Sequence, residues 1–157
     1  MTRRRFLALA VLLPLAGCGI GARGRDGAVS RRRRVPLYPN ETPELRRLIR
    51  RAAARHDVPV SLVQRVILRE SAHRPQARNG PYYGLMQIHP RTARTMGYRG
   101  PPDGLLDPAT NLRYAVKYLR GAWLVADGDP DAAVSWYARG YYYEAKRLGL
   151  LEETGLV

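Results

Sequence analysis

Glu70 is the residue in this 157-residue chain whose position is hardest to explain by packing alone. With helical geometry of about 100° per residue and Val63 set at zero, Ile67 falls at about 40°, Val66 at about 300° and Glu70 at about 340°. Arg65 and Arg69 fall opposite, at about 200° and 240°. Glu70 therefore shares the apolar stripe, where glutamate is rare unless paired or functional. Burial disfavours the charged form and raises the carboxyl pKa. A carboxyl that stays protonated near neutral pH is what general-acid catalysis at a glycosidic bond requires. A structural ion pair or a helix end open to water would also account for the position. The other acids read differently. Asp107, Asp129 and Asp131 are helix caps or first-turn residues, and Asp103 lies in the turn Gly100-Pro101-Pro102-Asp103-Gly104. No second acid stands out, although Asp103 and Glu144 stay open as groups that fold back beside Glu70. His56, His73 and His89 have no metal-binding spacing and there is one cysteine, so neither a metal site nor a cofactor is expected.

Helices must position this carboxyl. Thr42-Pro43-Glu44 predicts a helix start, and Leu45, Leu48, Ile49, Ala52 and Ala53 follow helical spacing opposite Arg46, Arg47, Arg50 and Arg51. Pro59 opens a second helix, reaching about Ala72, that carries Glu70. Asp107-Pro108 and Asp129-Pro130 each predict an Asp cap with Pro in the first turn. Behind them lie the stripes Leu112, Ala115, Val116, Leu119, Ala122 and Trp123, then Ala132, Ala133, Trp136 and Tyr137. No stretch alternates as a strand would, and there is no internal repeat. The expectation is one all-α domain over residues 42–157, and the 45% hydrophobic content is enough for its core.

The amino-terminal residues read as an address. Arg3, Arg4 and Arg5 precede an apolar run from Phe6 to Gly17, the pattern of a signal peptide over residues 1–17 and too short to span a bilayer. Leu15-Ala16-Gly17-Cys18 resembles a bacterial lipobox, which implies acylation of Cys18 and a membrane anchor; the alternative is an ordinary signal with an incidental cysteine. Gly19, rather than Asp, after the cysteine favours the outer membrane in such lipoproteins. Thr2-Arg3-Arg4-Arg5-Phe6-Leu7 resembles a twin-arginine export signal and equally fits a generic basic start. Residues 18–41, with six Gly or Pro breaks and the run Arg31 to Arg34, read as a flexible basic tether. The 27 Lys and Arg against 13 Asp and Glu give a charge of +14. Nucleic acid is the usual partner of so basic a chain. Export argues against it, and leaves an anionic wall or membrane surface, or a solvated face without a partner.

Glu70-Ser71 is followed by Pro75 and Ala77, then by Gly84-Leu85-Met86-Gln87-Ile88-His89-Pro90-Arg91-Thr92-Ala93. Asp107-Pro108, Asn111-Leu112 and Tyr118-Leu119 come later. These residues resemble the catalytic domain of soluble-lytic-transglycosylase-type enzymes, in the lysozyme-like superfamily, whose patterns are E-S-x-x-x-P-x-A, G-L-M-Q-I-x-P-x-T-A and D-P-x-x-N-[IL]. The likeness spans roughly residues 44–140. It implies a lysozyme-like fold and peptidoglycan glycan strands as the partner, with Glu70 as the single catalytic acid and base. Gln87 and His89 would line the sugar cleft. Asn79 falls where the family usually has a serine that contacts substrate. Tyr137 aligns with the tyrosine of an A-Y-N-A-G element, where its hydroxyl would hold the carboxyl in a reactive rotamer. Ser71 and Met86 of the motifs, with Tyr83 and Tyr141 of a tyrosine cluster suited to stacking on sugars, complete the expected binding residues. The departures are Ala138 in place of the element's Asn, a shorter 79–84 loop and Ala115 for a frequent Gly.

The resemblance further implies cleavage of a MurNAc–GlcNAc bond with a 1,6-anhydro product. A lysozyme-type muramidase of the same fold and a non-catalytic wall-binding module remain as alternatives, the latter because of Ala138.

Overall fold

A computed structural model describes residues 35–156. The signal segment 1–17, Cys18 and the tether to residue 34 lie outside the described residues. Helix α1 (Pro43–Arg55) starts where expected, with the Thr42 hydroxyl accepting from the Leu45 N–H at 3.1 Å. Helix α2 (Val60–Ser71) follows Pro59. A two-residue antiparallel pair, β1 (Arg78–Asn79) and β2 (Tyr82–Tyr83), leads to α3 (Pro90–Thr95) and a 3-10 turn at Pro102–Leu106. Then come α4 (Pro108–Val125), α5 (Pro130–Arg139), α6 (Tyr142–Leu148) and α7 (Leu151–Thr154). The Asp caps form as predicted: Asp107 accepts from Thr110 N–H and Asp129 from Ala132 N–H, both at 2.7 Å.

The fold is mostly α, as the sequence predicts. The small hairpin was not anticipated, because strands of two residues are too short to carry an alternating pattern. Helix α4 is the central element, packed against α1, α3, α5, α6, α7 and the 3-10 turn. Its Leu112, Ala115, Val116, Leu119 and Ala122 are buried with Ile49, Val63, Ile67 and Ala133 of the surrounding helices. Gly121 is there because a Cβ would strike the hydroxyl of Tyr141. The stripe residues Trp123 and Trp136 are partly buried against the same core.

The tether boundary differs from expectation. Residues 35–41, read in the sequence as the end of the tether, belong to the same compact unit as the helices. The Glu41 side chain has no exposed surface and forms an ion pair with Arg46. It also accepts from the Tyr38 N–H at 3.0 Å and from Gln64 of α2 at 2.7 Å. Arg46 donates in turn to the carbonyls of Val35 and Pro36. Tyr38 stacks on His73, whose Nε2 lies 2.6 Å from the Gln64 amide oxygen. The composition of the segment hides this buried polar relay, since Glu41 finds one partner five residues on in α1 and another twenty-three residues on in α2.

Burial pushes the Glu41 carboxyl up, but hydrogen bonds from Arg46, the Tyr38 amide and Gln64 outweigh it and bring it to about 2. Glu41→Gln should cost about 2–4 kcal/mol at pH 7, read as a lower urea midpoint. The folded-state pKa is depressed, so this stability is complete above about pH 5 and is lost as the pH falls towards 2. The gap between wild type and variant should therefore narrow across that window.

Candidate active site

Glu70 sits in the last turn of α2, one residue before its end. The chain leaves the helix through Ala72 and His73, both in the left-handed region at φ 48° and 63°. Such backbone is uncommon outside glycine and persists only where its surroundings impose it. It turns the chain sharply towards the β1–β2 hairpin and leaves Glu70 facing an open cleft of about 640 Å³. The Glu70 side chain is 23% exposed, and Arg69 Nε lies 3.5 Å from its Oε1. Burial raises the carboxyl pKa against the opposing pull of Arg69. Arg69, predicted on the solvent side of α2, thus reaches round to the cleft rim by the length of its side chain.

One wall of the cleft includes Gln87, the last residue of the segment Gly84–Gln87, and three helices hold that segment by hydrogen bonds. From α2, the Ser71 hydroxyl donates to the Leu85 carbonyl at 2.7 Å. From α4, the fully buried Asn111 accepts from the Met86 N–H at 3.0 Å and donates to the carbonyls of Tyr83 and Leu105, both at 2.8 Å. From α5, the Tyr137 hydroxyl donates to the Met86 carbonyl at 2.8 Å. Gln87, at φ 46°, turns its amide back on the segment and donates to the carbonyls of Gly84 and Ala77. Gly84 has no substitute: its φ is +72° and a Cβ would meet Asn111 and the Leu105 carbonyl.

Of the expected binding residues, Asn79, Gln87, His89 and Tyr137 line the cleft. His89 caps α3 by accepting from the Arg91 N–H on Nδ1, so its neutral ring carries the proton on Nε2. The other four expected binding residues do not line the cleft. Ser71, Met86 and Tyr141 are fully or almost fully buried and do not reach the cleft. Ser71 and Met86 belong to the hydrogen-bonded wall, and Tyr141 donates to the Tyr118 carbonyl at 2.8 Å. Tyr83 is covered by the Arg78 guanidinium, 4.7 Å above its ring, while its neighbour Tyr82 lines the cleft instead. Adjacent residues in a loop held from three sides must point to different faces, and motif spacing does not say which. The Tyr137 hydroxyl is also committed to Met86, not to the Glu70 carboxyl. Burial and then the nearby Glu70 charge push its own pKa well above the ordinary tyrosine value.

Sequence reasoning missed Tyr118, Arg91 and Arg139 as lining residues. Burial pushes the Tyr118 phenol up to about 12, so it keeps its proton and remains a donor in the cleft. The i, i+4 relation of Ala115 and Leu119 had marked that face of α4 as core, and Tyr118 lies at its edge. Asp103 and Glu144, left open as second acids, pair with Arg78 and Arg147 and do not line the cleft. Among the described residues, Glu70 is the one carboxylate in the lining. No group of three or more potential metal ligands gathers among them either.

The model of the transglycosylase SLT domain family matches residues 47–149. The chain belongs to that family. It is a family of lytic transglycosylases, whose domains act on peptidoglycan of the cell wall. No solved structure matches the chain. The SLT match covers α2 with Glu70, the gripped segment and the α4 and α5 residues that hold it. No helix among the described residues is long and apolar enough to cross a membrane.

Asn111→Asp isolates the role of the buried amide. A carboxylate cannot donate to the two carbonyls, so it leaves them without partners and adds a buried charge. The variant should lose about 3 kcal/mol or more of stability, measured by denaturant unfolding, and Asn111→Ala should lose at least half as much.

Proposed function

We propose that this SLT domain is a lytic transglycosylase that cleaves the MurNAc–GlcNAc β-1,4 bond of peptidoglycan and leaves a 1,6-anhydro-MurNAc end. The observation that carries the reading is the solitary, half-buried Glu70 carboxyl with a raised pKa at the wall of a polar cleft. Most glycosidases need a second carboxylate as base or nucleophile. Here the substrate supplies the nucleophile. Glu70 gives its proton to the glycosidic oxygen as the bond to C1 breaks. The N-acetyl oxygen of MurNAc stabilises the positive C1 from below. The Glu70 carboxylate then takes the proton of the C6 hydroxyl as O6 bonds to C1. The proton count closes, Glu70 returns to its acid form and no water is consumed. Holding O6 and C1 within one molecule gives the closure a large effective-concentration advantage. A muramidase would need a carboxylate to position water, and Glu70 has no such companion in the lining.

Digestion of purified peptidoglycan by the full chain, read by mass spectrometry, tests this. Products should be lighter by one water than hydrolytic ones, and Glu70→Gln should lower turnover about 10²–10⁴-fold. Because the acid form starts the reaction, the rate should fall as the pH rises through the elevated carboxyl pKa. Hydrated reducing ends would make the protein a muramidase. Retention on the wall without products from wild type would make it a binding module.

The reading extends to the residues before the domain. Residues 1–17 act as an export signal, acylated Cys18 anchors the protein in the outer membrane, and residues 19–34 tether the domain to it from the periplasmic side. A single acyl chain binds only marginally, so stable anchoring requires more than one. The native chain should incorporate labelled fatty acid and sediment with membranes; Cys18→Ser should do neither.

A further inference from the structure

Three arginines and one carboxylate line the cleft among the described residues, which leaves it strongly positive beside the reacting group. Arg69 is engaged with Glu70. Arg139 and Arg91 are not: among the described residues neither forms an ion pair with any carboxylate. Both are exposed at the cleft, one at the end of α5 and one in the first turn of α3. Arg139 is pre-positioned, because its guanidinium carbon lies over the Trp136 ring at 3.8 Å from the ring centroid. A stacked guanidinium keeps its donors at the edge and loses less freedom when a carboxylate arrives. The A-Y-N-A-G pattern that this element resembles has an alanine at the Arg139 position, so the cation is a feature of this chain and not of the motif. A neutral sugar hydroxyl can accept from a guanidinium, but a carboxylate pairs with it bidentately and about twice as strongly. A carboxylate carried on the glycan would find both arginines, in a cleft from which the bound sugar displaces water and so strengthens the attraction.

We infer that Arg139 and Arg91 make this cleft selective for glycan strands that carry a free carboxylate next to the bond cleaved. The inference rests on peptidoglycan being the substrate. Two sources offer that chemistry: the lactyl carboxylate of a MurNAc freed of its peptide, and the acidic groups of an attached stem peptide.

The test uses the full chain and four soluble glycan preparations. They are stem-bearing strands, strands stripped of peptide by an amidase, and each of these with its carboxylates coupled to methylamine. Binding is measured with Glu70→Gln, which removes turnover, and cleavage with the native protein. Acidic strands should bind about tenfold or more tightly than their methylamide counterparts, the ratio expected of a charge-assisted guanidinium contact. Arg139→Ala and Arg91→Ala, each in the Glu70→Gln background, should cut that ratio at least threefold. Arg51→Ala, which removes the same charge from the exposed face of α1 away from the cleft, should leave it unchanged. The preference should shrink between roughly 0.05 M and 0.5 M salt. Preference confined to the stripped strands identifies the lactyl carboxylate, and preference confined to stem-bearing strands identifies the peptide. Equal binding of acid and amide forms overturns the inference, as does an Arg51→Ala effect equal to that of Arg139→Ala. Cleavage by the native protein alongside equal binding would sink the selectivity and leave the transglycosylase reading intact. Selective binding without cleavage would do the reverse.

Discussion

The backbone of Leu85 and Met86 is held at three points by side chains from three helices, and the cleft exists because of this. Ser71, Asn111 and Tyr137 saturate the peptide groups of a segment that is neither helix nor strand. A buried loop is otherwise costly, because each unpaired peptide group forfeits the water it had in the unfolded chain. Once these bonds are made, the segment becomes as fixed as the helices around it. It then fixes Gln87, which follows it into the lining of the cleft that holds Glu70. The left-handed turns at Ala72, His73 and Gln87 are tolerated for the same reason, since the fixed segment leaves the chain no other route.

The same three contacts connect the helix that carries Glu70 to the rest of the molecule. Helix α2 carries both Glu70 and Ser71, so the carboxyl and one of the anchors of the Gly84–Gln87 segment are adjacent residues. Tyr137 lines the cleft with its ring while its hydroxyl secures the wall, which couples α5 to the site as well. Burial of this kind shapes the chemistry. The partly enclosed carboxyl prefers its acid form, and the enclosed phenols of Tyr118 and Tyr137 stay protonated. The cleft therefore holds one carboxyl whose acid form burial favours, beside protonated phenols and three arginines.

Stability and function draw on different polar clusters. The relay of Glu41, Arg46, Gln64 and His73 lies on the outer side of α2, where it binds the segment from Val35 to the domain. It makes no part of the cleft lining. The amino-terminal segment is in this way attached to the helix that carries Glu70 on both sides of the carboxyl, at Gln64 before it and at Ala72 and His73 after it.

Much of this was legible without coordinates. Helical periodicity located Glu70 on an apolar face, and Asp-Pro pairs marked the starts of α4 and α5, because local geometry determines both. Motif resemblance found the segment that forms the wall and the family to which the chain belongs. What the linear order could not decide was which member of each motif faces the cleft. Ser71, Met86 and Tyr141 turned inward, and Tyr82 rather than Tyr83 reached the site, because contacts from distant helices set those directions. The same holds for the domain edge at Val35, which depends on a carboxylate finding partners on two helices. Sequence by itself determined the helices and the acid, since these follow from propensity, capping and spacing within a few turns. Tertiary structure alone decided the wall, the arginine rim and the orientation of each lining residue, since these are set by hydrogen bonds and packing between residues far apart in the chain.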